Sequence, residues 1–98
     1  MTLKNIAING EKWKLVFKII PPSWQCKCKK RLPMRGWCKP DTKTLEIDTR
    51  QEPLFTLDTI IHEFTHARCP YLDEPVVNGF GQELAALLWR LGYRRVDV

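Results

Sequence analysis

The chain has 98 residues, of which 44% are hydrophobic and 28% are charged. That length allows one domain with a modest core, and that composition excludes a disordered chain. Apolar runs are too short to span a bilayer, and polar residues interrupt the N-terminal region, where a secretory signal needs an unbroken apolar stretch. We therefore expect one domain across residues 1–98, located in the cytoplasm and without a membrane partner.

The net charge of +5 is unevenly distributed along the chain. Residues 1–50 carry twelve Lys/Arg and four Asp/Glu, whereas residues 51–98 carry four and seven. The densest basic run extends from Lys27 to Arg35. This run predicts either a weak contact with nucleic acid or an acidic substrate, or a solvated loop that keeps a small protein in solution.

Strand-like alternation dominates the first half of the chain. In residues 12–19 apolar side chains alternate with lysines, which is the period of a half-buried strand. Asn9-Gly10 precedes this run and is typical of a tight hairpin turn, because both central positions of such a turn need φ > 0. The predicted strands cover residues 6–8, 12–19, 36–38 and 44–48, with a loop from Ser23 to Arg35.

The apolar spacing becomes helical from Pro53 onward. A first helix ends near Arg68, and apolar residues at three- and four-residue intervals predict that it is mostly buried. A second helix begins at Asp73 or Glu74 and stops at Gly92. Its expected apolar stripe comprises Val77, Leu84, Leu88 and Leu91. This layout predicts an α+β domain in which a small N-terminal, mostly antiparallel sheet of three or four strands precedes two packed helices.

The sequence His62-Glu63-Phe64-Thr65-His66 carries the chemistry of the chain. Two histidines four residues apart on a helix point the same way, so both imidazoles can reach one metal ion. Glu63 lies beside that ion, where it can take a proton from a bound water. Zn²⁺ suits this arrangement because it lowers the pKa of such a water and polarises a carbonyl. We therefore predict a zinc site on His62 and His66, with Glu63 as the general base.

A zinc site of this kind needs a third protein ligand. The candidates are Cys69, Asp73, Glu74 and Glu83. Glu74 and Glu83 are nine residues apart, which at about 100° per residue places them on opposite faces of the second helix. Glu74 follows a tight connection and lies on the side of the apolar stripe, whereas Glu83 shares a solvated face with Arg90. The helix geometry therefore favours Glu74.

Three further residues are candidates for supporting roles around the metal. Asp58 lies four residues before His62 on the same helix face, so it either orients that imidazole or is an exposed helix acid. Peptide hydrolysis also needs a group that stabilises the oxyanion. Tyr71 and Tyr93 are the main candidates for this group, with Arg94 beside them, and the sequence does not choose among them.

The four cysteines allow a second metal site in principle. They are Cys26, Cys28, Cys38 and Cys69. Their spacing matches neither of the paired Cys-x-x-Cys knuckles that usually bind zinc, so reduced thiols in a loop and in the core are the favoured interpretation.

With these residues, the chain resembles zincin metallopeptidases of the gluzincin type, and more narrowly the minimal HExxH proteins of phages and bacteria. The resemblance extends over most of the chain, from the strand around Trp13 to the end of the second helix. That helix is also similar to the one in ImmA/IrrE-type peptidases, where a glutamate is followed at three, six and seven residues by small and aromatic positions. Here these positions are Val77, Phe80 and Gly81 after Glu74. The similarity implies Glu74 as the third zinc ligand.

The same resemblance implies an activity and a substrate-binding strand. In zincins an edge strand above the motif helix pairs with an extended substrate, and Thr44–Asp48 is the candidate for that strand. The expected function is a zinc-dependent peptidase that hydrolyses peptide bonds in peptides or proteins. The alternative is a basic nucleic-acid-associated or regulatory protein in which the zinc site is structural or catalytically silent.

Overall fold

The computed structural model describes residues 2–20 and 35–95. It contains four strands and two helices, so the predicted α+β class is confirmed. The elements are β1 (Thr2–Ile8), β2 (Glu11–Lys18), β3 (Gly36–Lys39), β4 (Thr44–Asp48), α1 (Pro53–Arg68) and α2 (Glu74–Arg90). The predicted basic run lies outside the described residues except for Arg35, and Cys26 and Cys28 also lie outside them.

The predicted hairpin is confirmed. Asn9 and Gly10 have φ values of 53° and 76°, and they connect β1 to β2 in antiparallel register with Ile8 opposite Glu11. β1 begins at Thr2, four residues before the predicted strand. Polar residues at the start of β1 conceal its strand character in the sequence, because this strand lies at an edge of the sheet and Leu3, Lys4 and Asn5 are exposed.

The strand order β1-β2-β4-β3 places β4 inside the sheet. β4 pairs in parallel with β2 on one side and antiparallel with β3 on the other. The prediction that Thr44–Asp48 is an edge strand available to a substrate is therefore wrong. Leu45 and Ile47 are fully buried, as expected for a central strand. Among the described strands, the edge next to α1 is β3.

The main core lies between the sheet and α1. Ile8, Trp13 and Leu45 of the sheet cluster with Ala67 of α1. The buried residues of α1 are otherwise small or polar, namely Thr59, Glu63 and Thr65. The apolar side chains that predicted a mostly buried helix are only partly covered: Leu57, Ile60 and Ile61 are half-buried and Phe64 is exposed.

The second helix packs on the first. Val77, Gly81 and Ala85 are its buried residues, and α1 is the element of the described chain with which α2 makes extensive contact. The stripe predicted for α2 is correct for Val77 but wrong for Leu91, which is exposed. Neither described helix is long and apolar enough to cross a bilayer.

A polar network joins the ends of the two central strands. The Asp48 carboxylate at the end of β4 accepts hydrogen bonds from the backbone N–H groups of Ile20 and Arg50 and from the Arg50 guanidinium. The same guanidinium donates to the Ile20 carbonyl oxygen. The hydrogen bond from Arg50 lowers the pKa of the Asp48 carboxyl from its ordinary value to about 2, although burial opposes this effect.

Candidate metal centre

The helix α1 places His62 and His66 one turn apart at the surface that faces α2. Their ring centroids are 4.7 Å apart, the rings are inclined at 71°, and the two Nε2 atoms are 3.1 Å apart. Both imidazoles are partly buried. The predicted spacing therefore brings both ring nitrogens to one point.

Glu74 reaches the same point from the first turn of α2. A short connection turns the chain between the helices, and it contains a hydrogen bond from the Leu72 N–H to the Cys69 carbonyl oxygen of 3.1 Å. The Oε1 atom of Glu74 lies 2.8 Å from Nε2 of His62, and its Oε2 atom lies 2.8 Å from Nε2 of His66. One carboxylate thus faces both imidazoles.

The donor atoms fit a zinc ion. Zinc–nitrogen and zinc–oxygen bonds of about 2.1 Å imply tetrahedral ligand atoms about 3.4 Å apart. The distances among His62, His66 and Glu74 are 2.8–3.1 Å, so a slight outward movement accommodates the ion. Glu63 also offers an oxygen within 4.8 Å of both imidazoles. The 2.8 Å approach of Glu74 to both rings favours Glu74 as the third donor, and the choice between Glu74 and Glu63 stays a prediction.

Glu63 lies on the buried side of α1, against β3. A Cβ atom built on Gly36 of β3 would be 2.9 Å from Cγ of Glu63 and 3.0 Å from its Oε2. Burial raises the pKa of the Glu63 carboxyl to about 7, and the nearby Glu74 carboxylate adds to the rise. A carboxylate with a raised pKa and a position beside a metal site suits the role of a general base near neutral pH.

Asp58 lies behind His62, at the contact between the two helices. Its Oδ1 atom is buried and has no hydrogen-bond partner within the described part of the chain. A Cβ atom on Gly81 of α2 would lie 2.8 Å from that oxygen. Burial raises the pKa of the Asp58 carboxyl, whereas the charges of His62 and Arg35 oppose the rise. No hydrogen bond from the His62 ring to the Asp58 carboxylate is present among the described residues, so an orienting role for Asp58 stays a prediction.

These side chains line an open cleft of about 520 Å³. Sequence reasoning missed four polar residues of its lining, Arg35, Thr59, Asn78 and Gln82. Asn78 and Gln82 follow Glu74 at intervals of four residues, so helical periodicity alone would have found them. Arg35 had no such signal, because its position depends on how β3 pairs with β4 far along the chain.

Several candidates from the sequence lie elsewhere. Tyr71 is 78% exposed. Tyr93 lines a different cavity, together with Trp89 and Arg94. Neither tyrosine lines the cleft that holds His62 and His66, and their role as oxyanion-stabilising groups stays a prediction. Glu83 is exposed on the solvated face of α2, as the helix geometry predicted.

The two cysteines that the structure describes, Cys38 and Cys69, add no donor to the cleft. Burial raises the pKa of the Cys38 thiol to about 11, and the Glu63 charge adds to the rise, so the thiolate that binds metals is disfavoured. Cys38 and Cys69 are free thiols, and neither joins a cluster of metal donors within the described ranges.

Comparison with known protein families, with curated proteins and with solved structures gives no match to this chain. The similarity to zincins therefore stays a prediction. A functional proposal for this chain rests on the geometry of the cleft.

Proposed function

We propose that this protein is a zinc-dependent peptidase. The observation that carries the proposal is the convergence of His62, His66 and Glu74 within 3.1 Å, with the buried carboxyl of Glu63 beside them. Two imidazoles and one carboxylate form a ligand set that leaves a fourth position open in catalytic zinc sites. A structural zinc site would instead be closed by four protein ligands; the described cleft has no third imidazole and no thiol, and the proposal keeps the Glu63 carboxylate beside the ion as the base and not as a fourth ligand.

The residues of the cleft have separate roles in the proposed peptide hydrolysis. When bound, the zinc ion polarises the substrate carbonyl and increases the acidity of water. Glu63 accepts the proton of the attacking water and then donates it to the leaving amine. Arg35, Asn78 and Gln82 offer hydrogen-bond donors in the cleft, and they are further candidates for stabilising the oxyanion.

We propose that an extended peptide pairs with β3, in place of the β4 strand expected from the sequence. The Asp48 N–H donates to the Arg35 carbonyl oxygen, which makes this pair a hydrogen-bonded one in the antiparallel ladder between β4 and β3. By alternation, the backbone groups of Gly36 and Cys38 point away from β4, toward the outer edge of β3. Gly36 lies close to Glu63, so a peptide paired with this edge would lie near the general base.

The test measures zinc by mass spectrometry and cleavage of a peptide library by the same protein samples. We expect one zinc per chain in the wild type. Glu74→Ala should lose both zinc and cleavage, whereas Glu63→Gln should keep the zinc and lose cleavage. Glu83→Ala is the matched control, because it removes an acid from the exposed face of the same helix, and it should keep both.

Two results would contradict the proposal. Wild-type protein without stoichiometric zinc, after purification without chelators and addition of zinc, would exclude the metal site. Full cleavage by Glu63→Gln would exclude Glu63 as the base and assign the activity to a contaminant or to another site.

A further inference from the structure

Helix α2 has two apolar faces, and the described fold covers only one of them. Val77, Gly81 and Ala85 are buried against α1. A second row of large apolar side chains lies beside this one and faces outward. It comprises Val76, Phe80, Leu84, Leu87 and Leu91, which we call the outer stripe. Most of its members are well exposed: 54% for Val76, 50% for Phe80, 52% for Leu87 and 64% for Leu91.

The outer stripe has the geometry of a helix–helix interface. Phe80, Leu84, Leu87 and Leu91 are spaced by four, three and four residues, which keeps them along one seam of a helix. From Val76 to Leu91 the stripe is about 22 Å long at 1.5 Å per residue. It also borders an apolar groove of about 450 Å³ to which α1 contributes Ile61 and Phe64. Exposed apolar surface of this extent marks an interaction site in a small protein.

The charges that flank the outer stripe identify the partner. Glu83 and Arg90 are exposed on one side of the stripe, two turns apart, and neither has an ion-pair partner within the described ranges. In an antiparallel pair of identical helices the same flank of each helix faces the other. When Phe80 lies opposite Leu91 of a second copy, and Leu84 opposite Leu87, Glu83 of each copy comes beside Arg90 of the other. The flank is therefore complementary to itself in the antiparallel orientation.

We propose that the outer stripe of α2 is the interface of a two-fold symmetric homodimer in which the two α2 helices pack antiparallel. The two apolar seams meet along the centre, and two Glu83–Arg90 pairs close one side of the interface. In the antiparallel orientation the positive end of each helix dipole also lies beside the negative end of the other, which is favourable. On the other flank, the groove beside Ile61 and Phe64 continues the apolar contact toward α1 of the second copy.

The dimer leaves the cleft accessible. Glu74, Asn78 and Gln82 line the cleft from one face of α2, and Phe80 and Leu87 lie about half a turn around the helix from them. The inference is therefore independent of the proposed peptidase, and each can fail without the other.

Sedimentation equilibrium over a wide range of protein concentration tests this interface. The wild type should approach twice its chain mass of 11.5 kDa. Leu87→Asp should be monomeric at every concentration. Leu3→Asp is the matched control, because Leu3 is also 52% exposed but lies on β1, and this variant should dimerise like the wild type. Circular dichroism establishes that each variant is folded.

A charge exchange tests the register. Glu83→Arg and Arg90→Glu should each weaken dimerisation about tenfold, because each places like charges together twice in the symmetric interface. The double variant Glu83→Arg/Arg90→Glu should restore the wild-type dissociation constant. A monomeric wild type, a dimer that survives Leu87→Asp, or a double variant that is weaker than both single variants would each overturn the proposal.

Discussion

Gly36 of β3 passes so close to Glu63 of α1 that no side chain fits between them. A Cβ atom at Gly36 would lie 2.9 Å from Cγ of Glu63 and 2.6 Å from Cγ2 of Thr59. Thr59 cannot easily turn away, because its hydroxyl donates to the Phe55 carbonyl oxygen and lies 2.8 Å from Oε1 of Gln51. The close approach of the edge strand to the proposed general base is thus possible only because Gly36 has no side chain.

Gly36→Ala should therefore disturb stability and activity together. We expect a loss of about 1–3 kcal/mol in the free energy of unfolding, as for other insertions of a methyl group into a packed contact. Urea denaturation measures the loss through the midpoint at constant slope. Peptide cleavage should fall more than zinc content does, because the added methyl displaces Glu63 rather than the ligands. Unchanged stability and cleavage would show that β3 does not pack on Glu63 in solution.

Gly81→Ala should displace the Asp58 carboxylate, which lies behind the metal centre. Its Cβ atom would lie 2.8 Å from Oδ1 of Asp58 and 3.6 Å from the backbone nitrogen of His62. We expect a lower free energy of unfolding and a weaker affinity for zinc, since the Asp58 carboxylate behind His62 must shift to make room for the methyl group. Urea denaturation measures the first effect, and competition with a chelator of known affinity the second.

Gly79→Ala is the control for that variant. Gly79 lies two residues away on the same helix, and a Cβ atom there meets nothing within 4 Å. Alanine has a better helix propensity than glycine, so this variant should gain up to about 1 kcal/mol and keep the zinc affinity of the wild type. An equal response to alanine at both positions would contradict the close approach of the helices at Gly81.

Zinc should stabilise the fold only through the three assigned ligands. A ligand that binds the folded state at one hundred times its dissociation constant adds about 2.7 kcal/mol. For a chain of this size, that gain raises the melting temperature by roughly 10 °C or more. A chelator should remove this increment from the wild type and from Glu83→Ala, and should not change the melting temperature of Glu74→Ala. A chelator effect of full size in Glu74→Ala would assign the third ligand to another residue.

The Asp48 network should make the protein sensitive to strong acid. The Asp48 carboxyl is buried, and its pKa in the folded protein is lowered to about 2, below its ordinary value of 3.8. The stabilisation is therefore complete above the ordinary pKa and is lost as the pH falls through the folded one. Because Arg50 is half-exposed and screened by solvent, we expect a contribution of only about 1 kcal/mol.

The comparison of wild type with Asp48→Asn isolates this contribution. The difference in the free energy of unfolding between the two proteins should be constant above the ordinary carboxyl pKa and should shrink toward pH 2. A difference that stays constant from neutral to strongly acidic pH would show that the charge of Asp48 contributes nothing.

The sequence was sufficient to predict those features whose geometry depends on residues close together in the chain. His62, His66 and Glu74 come together because of helical periodicity and one short connection, so their spacing alone placed them around one point. The hairpin at Asn9-Gly10 follows from a local backbone preference in the same way. These features depend on residues that are close in the chain.

Features that depend on long-range pairing were not predictable from the sequence. The sequence order predicts β4 as the last, outer strand. In the structure β4 lies between β2 and β3, so that Gly36–Lys39 forms the edge of the sheet. The burial of α1 is likewise decided by the approach of β3, so Thr59 and Glu63 are covered while Phe64 is exposed. Tyr71 and Tyr93 were plausible by composition, and only the tertiary fold shows that they lie outside the cleft.

The assigned metal donors all lie within the thirteen residues from His62 to Glu74, whereas the proposed peptide-binding edge comes from β3, a separate part of the chain. Under the proposed function, affinity for the ion and choice of peptide are therefore encoded in different segments. Substitutions along residues 37–39 can alter which peptides are accepted while the ion is held as before. Evolution, or an engineer, can change one property without the other everywhere except at Gly36, where the two segments touch.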